Sequence, residues 1–504
     1  MGKLKSCGNW VVTKLRGLVP ESVENLALRV SNGRERRRVV VIGSRNSGKT
    51  VLLTAIARHL IEDVPSQVRS PKQGSSNSSW LDFGQWSVVY KKPLRAFTDR
   101  ELGGFPPFDY KNAIQQIAQG EWPQKTYDTR VLALDLDLNK GRKKRKVRLE
   151  ILDLPGEQVA DFSMLGKSFR EWSQWIREDV AWCGRYLEAI AKDIEKTRVE
   201  KERILNLFKE YYVEQYCKGV PMLIPAMPKV NAFKKMMKMF EGRMPPKEKR
   251  IEEFEEAISL SFAPIPDECF KKESRLYSLA NEFSNAYDEY VKTNIEPIEK
   301  WMSKAGHLFY LVDVISILKG GQKFLDDEKK FGEESLRGLI PSSSRNFMKW
   351  FWAGSGIRNA YIVATKADCV ANEQDRKNMS ELTKEMFGNV LSDVTDSKAG
   401  EANFLTCAAV RTTQKEGEGN DLKGRHYKTI EKTAANVKTV TKEIVNEEYS
   451  VPSISDKWPD NNEDWKKKIM DYKKILETFP SELGSNTVPE QIALSDIVKI
   501  MLGV

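Results

Sequence analysis

Eight residues carry the plainest chemistry in the chain. Gly43-Ser44-Arg45-Asn46-Ser47-Gly48-Lys49-Thr50 fits the spacing GxxxxGK[ST]. The glycines let such a loop wrap closely around phosphate. Successive backbone N–H groups at the start of a helix then stabilise the negative charge. Lys49 would supply a point charge to the β- and γ-phosphates of a nucleoside triphosphate, and Thr50 a hydroxyl to Mg2+. The loop needs a strand before it and a helix after it. Arg38-Val39-Val40-Val41-Ile42 reads as a strand buried on both faces, and Val51 to Leu60 as a helix.

Three further stretches extend the chemistry. Glu150-Ile151-Leu152-Asp153-Leu154-Pro155-Gly156-Glu157 is a hydrophobic strand ending in DxxG. Asp153 can hold Mg2+, usually through water, and Gly156 can offer its N–H to a γ-phosphate. Alone, the pattern also marks an ordinary turn after a strand. Thr365-Lys366-Ala367-Asp368 matches the [NT]KxD pattern. A carboxylate at Asp368 accepts from the ring N1–H and exocyclic amine of guanine. Adenine has no such pair and would leave the carboxylate unpaired. The stem of Lys366 can cover the base plane. At Thr406-Cys407-Ala408-Ala409 a backbone N–H, at Cys407 or Ala408, could meet the guanine carbonyl oxygen. A threonine that reaches the metal only when the γ-phosphate is present belongs ahead of the DxxG strand. Thr126 and Thr129 both qualify, and Trp122-Pro123 sets an extended backbone that favours Thr126. The expected catalytic set is Lys49, Thr126, Gly156 and Glu157, and the expected Mg2+ set is Thr50, Thr126 and Asp153.

The rest of the chain must position these groups. It has 504 residues, 40% hydrophobic and 30% charged, which is globular in composition and long enough for two to four folding units. No stretch approaches the roughly 18 uncharged apolar residues of a spanning helix. Three histidines lie far apart, and six cysteines form no CxxC pair. A zinc finger is therefore not expected, and with no secretory leader in view the thiols are expected reduced in a cytoplasmic protein.

The net charge of +10 permits an anionic partner without specifying one. Much of the excess sits in Arg34–Arg38 and Lys140–Arg148. These runs read either as phospholipid or nucleic-acid contacts or as a solvated linker and a solvated hairpin tip. Neither interleaves aromatics that would stack bases, so nucleic acid is not expected. Trp10, Val11, Leu15, Leu18 and Val19 could form one face of a helix, lying on a membrane or packed on the core. Met1 to Ser6 loosely fits a myristoylation pattern.

The expected division is a basic segment 1–38, a first core part 39–159 with an insertion at about 61–125, a helical insertion 160–300 and a second core part 301–504. Arg130–Leu138 and Val147–Leu154 read as a hairpin, with Trp86–Tyr90 as a further strand. Leu308–Val314, Ala360–Ala364 and Phe404–Val410 read as later strands of an α/β sheet. Residues 413–450 read as a loop and an exposed helix, and Gln491–Leu502 as a packed helix.

These blocks together resemble the YcjX-like P-loop GTPases, stress-associated bacterial proteins of the translation-factor-related GTPase class. The resemblance rests on Gly43–Thr50, Trp122-Pro123-Gln124-Lys125-Thr126, Asp153–Glu157, Phe309–Ser316, Ala364–Asp368, Ala408-Ala409-Val410-Arg411-Thr412-Thr413 and Leu494–Ile497, in family order across roughly residues 39–504. It implies binding of GTP, GDP and Mg2+, a Ras-like core with a mainly parallel sheet, and a large all-helical insertion after the DxPGE block. Gln158 stands where family members often have an aromatic, and 413–450 matches poorly. Signalling GTPases place Gln directly after the DxxG glycine to orient water, whereas Glu157 stands there in this chain. It could orient water or face the helical insertion. Two functions follow: a GTPase switch, or a binding module that holds guanine nucleotide without useful turnover. Either acts on an unidentified protein partner in the cytoplasm, or at the inner face of the membrane through the basic N-terminus.

Overall fold

The structure is a computed structural model that describes residues 34–44, 46–61, 81–91, 97–124, 128–155, 160–179, 201–208, 261–339, 359–394, 403–417, 419–434, 437–482 and 488–504, with 186, 188, 190 and 357 besides. Its named elements run β1 (Glu35–Gly43), α1 (Lys49–Ile61), β2 (Ser87–Tyr90), α2 (Tyr110–Ala118), β3 (Arg130–Lys140), β4 (Lys143–Asp153), α3 (Phe169–Asp179), α4 (Tyr277–Tyr290) and α5 (Glu296–Met302). There follow β5 (His307–Val312), α6 (Val314–Gly320), α7 (Gln322–Leu339), β6 (Asn359–Ala364), α8 (Glu373–Val394), β7 (Asn403–Thr406), β8 (Thr413–Glu416), β9 (Asp421–Ala434), β10 (Val437–Ser450), α9 (Asn462–Tyr472), β11 (Thr478–Phe479) and α10 (Leu494–Leu502).

The chain divides into two units: Met1–Leu154 with Trp301–Leu325 and Ile340–Val504, and Pro155–Lys300 with Asp326–Leu339. The first is built on a seven-stranded sheet of order β2-β3-β4-β1-β5-β6-β7. Strands β4, β1, β5, β6 and β7 are parallel, and β2 and β3 add antiparallel pairs at one edge. This is the expected α/β class with a mainly parallel sheet. Val39, Val40, Val41 and Ile42 are fully buried, as a central parallel strand covered on both faces requires. Val39 and Val41 share one core with Leu53 and Ile56 of α1 and with Leu494, Ile497, Val498, Met501 and Leu502 of α10.

One reading of a basic run is corrected here. Arg34–Arg38 is not a solvated linker, because β1 begins at Glu35 and its arginines are ion-paired. Arg36 and Arg38 each place Nε 2.9 Å from an oxygen of the fully buried Glu150, and Arg34 pairs with Asp137 at 3.0 Å. Lys140–Arg148 holds the tip of the β3–β4 hairpin, as the solvated-tip reading expects, with residues 141–144 and 146 exposed. Arg148 pairs with Asp135 at 2.8 Å and Arg145 with Glu35 at 3.1 Å.

Residues 413–450, expected as loop and helix, instead form three strands. With β11 they make a second sheet in which β9 pairs with β8, β10 and β11. Its long β9–β10 hairpin runs in register from Asp421↔Ser450 to Ala434↔Val437. Leu422 and His426 of β9 are buried on one face, whereas Tyr427 and its partner Ile444 are exposed on the other, so the apolar residues do not keep to one face as in a half-buried strand.

The described residues of the second unit are helical or irregular. Phe169 and Trp172 of α3 meet Phe262 and the α4 residues Phe283 and Tyr287, with Trp172 and Tyr287 ring centroids 5.4 Å apart. Tyr287 donates to the carbonyls of Met164 and Lys167 at 3.1 Å each. Tyr290 donates at 2.6 Å to the buried Asp161, whose carboxyl burial pushes up to about 7 against the opposing effect of that hydrogen bond. Val291–Ile295 then form a π turn before α5.

Candidate functional site

Parallel strands deliver their carboxyl ends to one edge of a sheet, and that edge is where α/β folds hold ligands. Register aligns Gly43 with Leu311, Val41 with Asp153, Val312 with Ala364 and Ala364 with Thr406. The 43–50 loop, Asp153, Thr365–Asp368 and Cys407–Ala408 are therefore gathered at one edge, as the sequence expects.

The loop leaves β1 through Gly43 at φ +153°. A Cβ there would lie 2.4 Å from the Leu311 carbonyl oxygen and 2.7 Å from Ser47 Oγ. Gly48 has φ +90° and Asn46 φ +65°, which curl the backbone into a concave turn. Ser44 accepts from the Ser47 N–H at 3.3 Å, and α1 begins with Leu52 N–H to the Gly48 carbonyl at 2.9 Å. Lys49 is buried, and its Nζ donates to the carbonyls of Gly43 and Ser44 at 2.8 Å each. The ammonium thus sits inside the concavity, where a phosphate would receive it. Arg45, Thr126, Gly156, Glu157 and Gln158 lie outside the described residues. Thr129 is buried directly before β3.

Asp153 is a fully buried carboxylate at the last position of β4, beside the strand that leads into the loop. A hydroxyl at Thr50 and a carboxylate at Asp153 form a hard-oxygen donor set that suits Mg2+ completing its shell with water and phosphate oxygens.

The base-reading end is held by side chains as well as backbone. Thr365 donates from N–H and Oγ1 to the Val312 carbonyl, at 2.8 and 3.2 Å, tying the end of β6 to β5. Lys366 takes a left-handed conformation, φ +59°. Its Nζ lies 2.5 Å from Asp313 Oδ2. Burial disfavours the ammonium, but the Asp313 charge and hydrogen bond more than offset this and hold its pKa above the usual lysine range. Asp313 also caps α6, accepting from Ser316 N–H at 3.0 Å and from its hydroxyl at 2.5 Å.

Asp368 is buried, and its Oδ2 accepts from both the N–H and the hydroxyl of Thr412, at 2.8 and 2.6 Å. Thr412 Oγ1 lies 2.5 Å from Thr478 Oγ1 on β11. A hydroxyl has one proton and a carboxylate only accepts. The chain therefore runs from Thr478 to Thr412 to Asp368. The Thr413 hydroxyl donates to the Asp368 carbonyl. Of the roughly four lone-pair sites of a carboxylate, two are taken, leaving two on the other oxygen. That number matches the two donors on the guanine edge.

One expectation is overturned. Cys407 N–H donates to the Ala364 carbonyl at 2.8 Å and Ala408 N–H to that of Ile492 at 3.1 Å. Both groups named for the guanine carbonyl oxygen are committed to holding the strand ends and the 488–492 segment together. The next N–H along, Ala409, makes no hydrogen bond among the described residues. Burial also pushes the Cys407 and Cys369 thiols well above their usual pKa, which removes thiolate chemistry at this edge.

Sequence reasoning assigns no role to Asp313, Thr412 or Thr478. Asp313 has a usable signal, an Asp after a strand with Ser three residues on, which is an N-cap pattern. Thr412 lies in the Ala408–Thr413 block that carries the resemblance, but its bond to Asp368, 44 residues earlier, and its contact with Thr478 of β11 arise only on tertiary closure.

Among proteins of known sequence, the chain is 22% identical over 378 residues to the Ras-like GTPase YcjX of Shewanella oneidensis, covering 69% of this chain and 71% of that protein. Among solved structures it matches the signal recognition particle receptor SRb-GTP/SRX complex from Chaetomium thermophilum at 10% identity, covering 76% of this chain and 95% of that one, with a TM-score of 0.26. The description of the YcjX-like family, DUF463, matches residues 37–503, nearly the whole described chain, and the protein belongs to that family.

Proposed function

We propose that the protein binds guanine nucleotide with Mg2+ and hydrolyses GTP to GDP and phosphate, acting as a conformational switch. The observation that carries this reading is the Asp368 carboxylate, oriented by Thr412 with two acceptor sites left over, on the sheet edge that also bears the 43–50 loop. The name of the Shewanella oneidensis relative, Ras-like GTPase, agrees with it. The loop N–H groups and Lys49 hold the phosphates, Thr50 and Asp153 hold Mg2+, and the Ala409 N–H takes the guanine carbonyl oxygen. Bound Mg2+ would neutralise charge on the phosphate oxygens. Lys49 leaves its two carbonyl partners when a phosphate enters.

Turnover rests on Glu157, which replaces the water-orienting Gln of signalling GTPases. That replacement favours a second reading, a nucleotide-regulated binding module with negligible turnover. Two measurements test the pair. Fluorescent GDP and ADP titrations ask whether guanine is preferred, and equal affinity would refute the base reading. Phosphate release from GTP at saturating Mg2+ separates the switch from the binding module.

A further inference from the structure

A polar pocket of about 570 Å³ opens beside β8 and β9 and the segments 480–482 and 488–490. None of residues 43–50 lines it, so it is separate from the phosphate loop. Its volume falls in the range that encloses a small molecule. Lys423 and Arg425 stand two residues apart on β9 and so on one face of the sheet, and Arg411 joins them on the pocket wall.

The anionic neighbours are weakly engaged. Arg411 lies 3.6 Å from Glu490, and Arg425 lies 3.9 Å from Glu482, both longer than a hydrogen bond. The two carboxylates are 49% and 76% exposed, whereas the arginines are 14% and 22% exposed. Solvent therefore weakens both pairs. Lys423 forms no ion pair among the described residues, although Glu448 is its register partner on β10. Arg425 is oriented by a 2.7 Å bond to the Pro480 carbonyl and Arg411 by a 2.8 Å bond to that of Thr413. Two oriented guanidiniums and an unengaged ammonium around one cavity form a phosphate-binding arrangement.

The pocket also touches the base-reading end. Thr412, which lines it, gives both of its donors to Asp368, and the adjacent Arg411 N–H is bonded to the Glu490 carbonyl at 2.7 Å. A ligand that draws Arg411 inward moves the residue next to Thr412.

We propose that this pocket binds a small phosphate-bearing molecule through Arg411, Lys423 and Arg425, and that its occupancy alters nucleotide retention through Thr412 and Asp368. The second half rests on the guanine reading above; the first does not.

Inorganic tripolyphosphate is the probe. Calorimetry on Lys49→Ala protein, whose phosphate loop is disabled, should show saturable binding of one equivalent. Adding Lys423→Gln should weaken it about ten-fold or more, as loss of a charge-assisted bond does. Lys423→Gln is the primary variant because it removes no ion pair among the described residues, and Arg425→Gln is the second. Release of fluorescent GDP from wild-type protein, chased with unlabelled GDP at fixed free Mg2+, should change several-fold with the probe. A competitor at the loop cannot alter that rate. The change should vanish in Lys423→Gln and in Thr412→Val. No saturable binding in Lys49→Ala protein, or undiminished binding after Lys423→Gln, overturns the pocket. Unchanged GDP release despite binding overturns the coupling. Wild-type protein that retains no GDP while the calorimetric site persists refutes the guanine reading and leaves the pocket standing.

Discussion

Thr412 presents both its amide and its hydroxyl to a single oxygen of Asp368, so one half of that carboxylate is committed to the fold before any ligand arrives. Thr412→Val keeps the shape and the amide but deletes the hydroxyl. We expect guanine-nucleotide affinity to fall about ten-fold, in line with the ~1–3 kcal/mol for a lost bond to a buried charged group. Fluorescent GDP titration measures this. A loss of the same size for ADP would place the effect on the phosphates instead.

The same contact dictates how an amide would sit at position 368. In Asp368→Asn, the Thr412 donors hold the amide oxygen and turn the NH2 group toward the base. Guanine then loses an acceptor, whereas xanthine gains a donor for its exocyclic oxygen. The variant should prefer xanthosine diphosphate to GDP. The double variant Asp368→Asn with Thr412→Val should lose that preference, because the amide is then free to flip. Competition titrations with both nucleotides decide it.

Lys49→Ala should abolish nucleotide binding while the fold survives, because the ammonium's partners in the loop are carbonyls that water can satisfy. Charge-assisted bonds to phosphate contribute a few kcal/mol, about a hundred-fold in affinity. Unaltered GTP affinity in a folded variant would sink the assignment of the loop.

Gly43→Ala should do more damage than Lys49→Ala, because its Cβ would meet a backbone oxygen of β5 that cannot retreat. The outcome expected is lost nucleotide binding with a lowered melting temperature, read by thermal denaturation.

The two units should respond to pH in opposite senses. Burial lowers the His59 pKa to about 4, and burial with the Arg37 charge lowers His307 to about 4. A depressed folded pKa means the unfolded chain binds the extra proton, so this stability is present above about 6.5 and is lost toward pH 4, by about 3 kcal/mol for the more buried His59. Asp161 is the reverse. Its carboxyl is pushed up to about 7, so its contribution is present below about 4 and is lost as pH rises to 7. Asp161→Asn should therefore stabilise the protein at pH 7.5 and not at pH 4, measured by denaturant titration at both values.

The central strands are legible in the sequence because continuous apolar runs such as Val39–Ile42 and Leu308–Val312 are buried on both faces. The phosphate loop is legible because its chemistry is contiguous. The β9–β10 hairpin is not, because its apolar residues do not keep to one face: Leu422 and His426 are buried, whereas Tyr427 and Ile444 are exposed. Its Thr and Val content is the one signal that points to strands. At the base-reading end, Asp368 is visible as a motif, but its neighbours are set by tertiary closure. Cys407 and Ala408 offer N–H groups at the right place in the sequence, but the fold already uses both.

Helix α10 shares its buried side chains with β1, so residues 39 and 41 need residues 494–502 to complete their cover. During synthesis, the strand that bears the phosphate loop emerges more than 450 residues before the helix that seals it. Such long-range closure is slow. A nascent chain therefore leaves this apolar strand without that cover until residues 494–502 have been made.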